Sequence, residues 1–432
     1  MKNLFRHEFY LLKSSPIFWI LLCCIFLATI YSLDNGRRYY DKQLATIAEL
    51  KLKNEEALKT AIGSYSADTT TAEGQKSYYG TAEASHAVFN SRLNVFWEPS
   101  ALSVLSIGNR DLYPYYQEIL PISLYMRLFK NEISNPMTLL SGNVDFSYII
   151  IFLVPLFLIA LTFNLVAFDN ETGVAPLIRM DASNLYVHYG WRFGFYMLIS
   201  ALLLAVLFVS AVLFLPKEFS ADKLVLLYLV SLLYLGFWLA LSYFVNMAGW
   251  SAVKNISLLL SFWLFFTVLL PSIANQYTIY KYPVETEKLT QNIRRVQLTG
   301  GEPQMKQILE RFYKHYPEYK QLSDPEDIMF TRAYLAQGEF NDLHGDSLFN
   351  NLASRMQQKS NLLSTVACLD PAMFMQQLFC RQASTDLPDY LAYLNYVREY
   401  NNQVKRFYFK HIFGNNLILR EEYKKSYPQF PQ

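Results

Sequence analysis

Residues 147–168, SYIIIFLVPLFLIALTFNLVAF, run for 22 positions without one Asp, Glu, Lys or Arg. A hydrocarbon core of about 30 Å is crossed by roughly 20 apolar residues at 1.5 Å rise per residue, so this stretch predicts a membrane span. Four further charge-free stretches occupy 17–33, 193–215, 224–246 and 255–274, with 17, 23, 23 and 20 residues. Helices buried in soluble proteins usually run about 10–14 residues. Five such runs therefore predict a mainly α, polytopic membrane protein.

The first run follows Lys2, Arg6 and Lys13, as a secretory signal would. It exceeds the roughly 7–15 residues of a signal core, and the sequence after it lacks a small-x-small cleavage site, so it reads as a retained anchor. Trp19, Tyr148, Trp191 and Trp250 lie near span ends, where amphipathic rings favour the headgroup layer.

The polar remainder is concentrated in residues 34–146 and 275–432. Four spans separate these segments, so parity places both on the same side of the membrane. Long translocated segments obey charge rules weakly. The basic residues Arg179, Arg192 and Lys254 in the short connections favour an inner N-terminus with both long segments outside. The 432 residues are 52% apolar but only 17% charged, with a mean hydropathy of +0.11. That average is a mixture of bare spans and ordinary polar domains. A net charge of +2 offers no field for nucleic acid.

Both long segments read as mostly helical. Leu44, Ile47, Leu50 and Ala57 recur near helical spacing up to Gly63, and a Ser/Thr/Ala/Gly-rich loop is predicted over 63–81. Met305, Ile308, Leu309 and Phe312 mark one helix, and Leu348, Leu352 and Met356 another. The strongest starts at Asp386 as N-cap and runs to about Phe413, with Gly414 as its stop. Cys23 and Cys24 fall in the first span. Cys368 and Cys380 form a disulfide only if their Cβ atoms face each other in an oxidising compartment, which spacing does not decide.

Chemistry-bearing motifs are absent from the sequence. The six histidines are scattered, no Cys-x-x-Cys or phosphate-loop pattern occurs, and the spans hold no ionisable residue of the kind that couples ion flow. No catalytic residue, metal ligand or cofactor-binding residue is therefore expected, and the chain does not read as an enzyme. For the polar span residues Asn164 and Ser231, hydrogen bonding between helices is as good an explanation as a transport path.

Directly after the second span the chain reads Asp169-Asn170-Glu171-Thr172-Gly173-Val174-Ala175-Pro176-Leu177-Ile178-Arg179. Acidic-x-acidic-x-Gly followed by a short apolar segment resembles the first cytoplasmic loop of type-2 ATP-binding-cassette (ABC) exporter permeases. There the loop forms a coupling helix against the ATPase, with acidic residues read as favouring a helix N-terminus. Ser106-Ile107-Gly108-Asn109-Arg110-Asp111, with Pro114, looks like a segment of the permease subfamily that carries two large extracytoplasmic insertions, including a domain of unknown function. Asn135-Pro136, Leu139-Leu140-Ser141-Gly142, Asp145, Pro271, Asn275, Tyr282-Pro283-Val284, Asp370-Pro371-Ala372 and Thr385-Asp386 continue the match in order.

The resemblance implies the following organisation. Residues 1–16 form a cytoplasmic interfacial helix with Leu4, Phe5, Phe9 and Leu12 on its apolar side. The loop 169–192 couples to the ATPase through Asp169, Glu171, Gly173 and Leu177, while Gly108, Arg110, Asp111, Pro114 and Pro371 belong to the extracytoplasmic motifs. Further implications are a bacterial inner-membrane location, an ABC ATPase partner that binds ATP and Mg, a second permease copy or homologue, and an extracytoplasmic accessory protein. The subfamily has a sixth span after the second insertion, so a sixth is expected beyond Gln432, the given chain being read as truncated. A non-transporting membrane receptor or scaffold remains the alternative.

Overall fold

The computed structural model describes residues 2–125, 144–181, 184–283, 302–320 and 326–428. The motif positions Asn135, Pro136, Leu139, Leu140, Ser141, Gly142 and Val284 lie outside these residues.

Helix α1 (Lys2–Ser14) stops at Ser15, whose side chain caps the next helix by accepting from Phe18 N, with Pro16 in the first turn. Helix α2 (Pro16–Ser64) then runs unbroken for 49 residues. The first span thus continues without a joint into the polar segment. Beyond Leu33 its exposed side carries the i,i+4 pairs Asp34 with Arg38, Arg37 with Asp41, Glu49 with Lys53 and Glu55 with Lys59. Gly36 lets the chain at Val104 rest directly on the helix, since a Cβ there would collide with the Val104 carbonyl.

The loop predicted over 63–81 is corrected. Thr71 accepts from Gly74 N and starts α3 (Ala72–Ala82), which α4 (Ala84–Asn90) follows. Ser and Thr serve here as a cap rather than a turn. The first long segment is also less helical than expected, because β1 (Leu93–Phe96) and β2 (Tyr116–Ile119) pair antiparallel with Leu93 opposite Ile119.

The bundle continues with α5 (Phe146–Glu171), α6 (Ala175–Asp181), α7 (Leu185–Phe214), α8 (Ala221–Met247) and α9 (Ala252–Lys281). Among the described residues, five helices are long and apolar enough to cross a membrane: α2, α5, α7, α8 and α9. Helix α5 is central, with 61% of its most apolar window buried against 11% for α9.

Pro155 lacks an N–H, which frees a carbonyl one turn earlier in an apolar setting. Tyr234 of α8 answers by donating to Ile151 O at 2.8 Å, and Trp263 of α9 donates from Nε1 to Phe152 O at 3.2 Å. Ser231, for which an interhelical bond is one reading, instead bonds back to Leu227 O of its own helix.

The remaining helices are α10 (Glu302–His315), α11 (Glu326–Ala367), α12 (Pro371–Gln382), α13 (Leu387–Gly414) and α14 (Arg420–Lys425). Asp386 caps α13 as expected, accepting from Asp389 N at 3.1 Å, but the left-handed residue at its end is Asn415 rather than Gly414. The two long segments share one core: Val88, Val95 and Ile119 pack with Phe312, Ala333, Val397 and Phe413. Lys405 pairs with Glu339 and Asp342 at 2.6 Å each, and Asp342 also accepts from Ser123 Oγ and Leu124 N across the two segments. The lobe is therefore a single body built from both.

Cys368 and Cys380 are free thiols. Cys380 Sγ lies 3.6 Å from Ser106 Oγ and 3.5 Å from Gln376 Nε2, while Cys368 donates to Ser364 O, so each faces its own partners.

Candidate functional site

Glu8 is the single acidic residue before position 34. Helical spacing sets it on the same side of α1 as Leu4, Phe5 and Leu12. Leu12 is buried and Leu4 and Phe5 half-buried, whereas Phe9, expected on the apolar side, is 53% exposed. Glu8 is thereby carried into the packed interior, where an isolated carboxylate is costly.

Arg192, the last residue before the third charge-free stretch, meets that cost. Its Nε donates to Glu8 Oε1 at 2.5 Å, and Tyr196 Oη donates to Glu8 Oε2 at 3.2 Å. The other arm of the guanidinium, Nη1, donates to Asp169 and to Leu165 O, and Tyr189 Oη donates to Asp169 Oδ2 at 3.1 Å. One cation and two tyrosines thus satisfy two buried carboxylates. The cluster locks α1, the end of α5 and the start of α7 together.

The expectation for Asp169 and Glu171 is corrected by this geometry. They do not stand at the N-terminus of the following helix. They occupy the last turn of α5, with Asp169 buried and committed to Arg192 while Glu171 is exposed. Gly173, at φ +74°, supplies the left-handed residue that ends α5, and Val174 N closes on Asp169 O at 3.0 Å. Helix α6 follows, with Ala175 buried beneath it and Leu177 and Met180 65% and 85% exposed. Of the four expected contact residues, Leu177 and Glu171 face outward, Gly173 turns the chain, and Asp169 is internal.

Six residues upstream of Asp169, α5 breaks at Phe163 and Asn164. Backbone freed at such a break needs partners at membrane depth. Asn246 Nδ2 of α8 donates to Thr162 O at 3.0 Å, and Asn255 Nδ2 of α9 donates to Phe163 O at 3.2 Å. Asn164, for which bridging between helices is one reading, has a buried side-chain oxygen with no partner among the described residues. The break, the cluster and α6 form one continuous unit that is pinned on the bundle side and open on the other.

The remaining motif residues gather elsewhere, where the lobe meets the bundle. Asp145 caps α5, accepting from Tyr148 N and Ser147 Oγ, and also takes Ile107 N at 3.0 Å. Gly108, at φ +54°, lies against Thr385, whose carbonyl accepts from Asn109 N at 2.9 Å. Arg110 is 1% exposed, donates to Gln43 Oε1, Trp97 O and Glu98 O, and stacks 4.2 Å over the Trp97 ring. Burial pushes its pKa down to about 10, so it stays charged at neutral pH. Asp111 and Pro114 are half-buried in the same turn region. Pro371 opens α12 behind Asp370, which accepts from Ala372 N. These positions fasten lobe to bundle.

Glu8, Tyr189, Tyr196, Asn246 and Asn255 have no role assigned from the sequence, and Arg192 enters there only as a charge that bears on topology. The available signals were a lone acid in a basic segment and an arginine flush against a charge-free stretch. No curated protein and no solved structure matches the chain. Residues 286–431, about the last third of the chain, match a family model described as a domain of unknown function (DUF3526).

Proposed function

We propose that the chain is the membrane permease subunit of an ABC transporter, taking force from a separate ATPase at α6 and passing it to the lobe for substrate export or lobe movement. The supporting observation is the unit around Arg192. An apolar helix with Leu177 and Met180 uncovered is held on a stem that buried ionic and amide contacts connect to α1, α7, α8 and α9. A short exposed apolar helix at a membrane edge suits a groove on a soluble partner. In this reading α6 faces the cytoplasm of a bacterial inner membrane and the lobe lies outside. The uncovered face of α9 takes lipid or a second permease copy. ATP and Mg belong to the ATPase.

The test is affinity purification of the chain from native membranes, comparing wild type with a Leu177→Arg/Met180→Glu variant. Wild type is expected to retain an ABC ATPase and the variant to lose it. Absence of any ATPase, with other proteins held by the lobe, would instead establish the receptor or scaffold reading. Equal recovery with the variant would remove α6 as the contact.

A further inference from the structure

The junction of lobe and bundle forms an open cavity of about 670 Å³ between Gly108 and Asn109, Asn275 of α9, the second half of α11, α12 and the first turn of α13. Its height in the membrane follows from two contacts with the chain. Asn275 and Gln276 begin the polar end of α9, with Asn275 six residues before the next charge at Lys281, and Ser147, the first residue of another charge-free stretch, donates its N–H to Leu105 O beside Gly108. With the five apolar helices set across a bilayer, the cavity opens near the level of its surface.

Its charge is unbalanced. Half-buried Lys359 and exposed Arg381 both line it, and the described residues supply neither with an ion pair or a side-chain hydrogen bond. The carboxylate in the lining, Asp386, is already used as the cap of α13. Burial pushes the Lys359 pKa down, so its ammonium is short of solvation. Gln376 adds an amide donor, and Leu363 and Leu387 make part of the wall apolar. Two cations without a partner among the described residues, an amide and an apolar flank at the headgroup level match an anion that carries a carbon chain.

We propose that this cavity is a phosphate-binding site in which Lys359 and Arg381 hold a phosphoryl anion, either on a lipid headgroup or free in solution. Where the phosphate is esterified, Leu363 and Leu387 take the adjoining carbons. The site does not depend on the ATPase reading.

Two probes separate the sources. Full-length chain in phosphate-free maltoside micelles is titrated with radiolabelled orthophosphate. The same preparation is given phosphatidylglycerol and inspected by native mass spectrometry for bound lipid. At least one probe is expected to bind wild type, with about tenfold or greater weakening in Lys359→Met/Arg381→Gln. Lipid binding alone assigns a headgroup, and orthophosphate binding alone or with lipid assigns a free-anion site. A Lys359→Arg variant preserves charge and should preserve binding, which separates lost recognition from lost folding. Binding of neither probe, or equal binding by the double variant, overturns the proposal.

Discussion

Arg192 Nε donates to Glu8 Oε1 at 2.5 Å across 184 positions of sequence, with Glu8 fully buried and Arg192 5% exposed. Removing the cation strands two carboxylates, so Arg192→Ala is expected to cost about 3–5 kcal/mol. Glu8→Gln keeps a hydrogen-bond acceptor and should cost clearly less. Thermal unfolding of the purified variants in micelles measures both. A loss below about 1 kcal/mol for Arg192→Ala would show that the cluster contributes little.

Gly108 combines a positive φ with a neighbour that leaves no room for a methyl group, since its Cβ would approach Thr385 O to 2.8 Å. Gly108→Ala is expected to lower stability by roughly 2 kcal/mol or more. Adding Thr385→Gly removes the side chain from the collision but neither the carbonyl nor the dihedral strain, so rescue should be partial. Full rescue in thermal melts would mean that the backbone conformation itself carries no cost.

Tyr234 and Pro155 are expected to be energetically coupled. Tyr234→Phe orphans the Ile151 carbonyl at a cost of about 1–3 kcal/mol. In a Pro155→Ala background the helix regains an N–H near that carbonyl, so the same change should cost less. A double-mutant cycle reads the difference, and strict additivity would refute the pairing.

Asp389 titrates at about 6 rather than 3.8, first because burial disfavours its charge and then because Asp386 lies beside it. The folded chain holds this proton more tightly than the unfolded chain. Its contribution is therefore complete below pH 3.8 and is lost as pH rises through about 6. Asp389→Asn should match wild type near pH 4 and melt at a higher temperature at pH 7.5. A gap that stays constant across that range contradicts the assignment.

The spans were legible because burial in lipid removes charge from a whole stretch, a signal that needs no partner. The break in α5 was not, because its stabilising groups, Asn246 and Asn255, come from two other helices. Asp169 reads as a coupling-loop acid at a helix N-terminus because the cation that internalises it stands 23 residues later. The common core of the lobe was equally hidden, since contacts such as that of Tyr65 Oη with Ile418 O span 353 positions. Gly108 and Thr385 were both noticed as motif positions, yet only folding shows that they touch.

The jointless helix α2 makes the chain a lever. Beyond its close seat on Val104 the helix is bonded to the lobe through Gln43, Asn54 and Tyr65, so the lobe would turn with it about Gly36. From there one arm reaches about 30 Å to Pro16 and the other about 42 Å to Ser64, at 1.5 Å per residue. Rigid rocking about that point would turn a sideways shift of about 1 Å at the membrane end into about 1.4 Å at the lobe end, in the opposite direction. A tilt of the membrane arm would therefore be carried into the lobe undiminished, with no joint in α2 to absorb it.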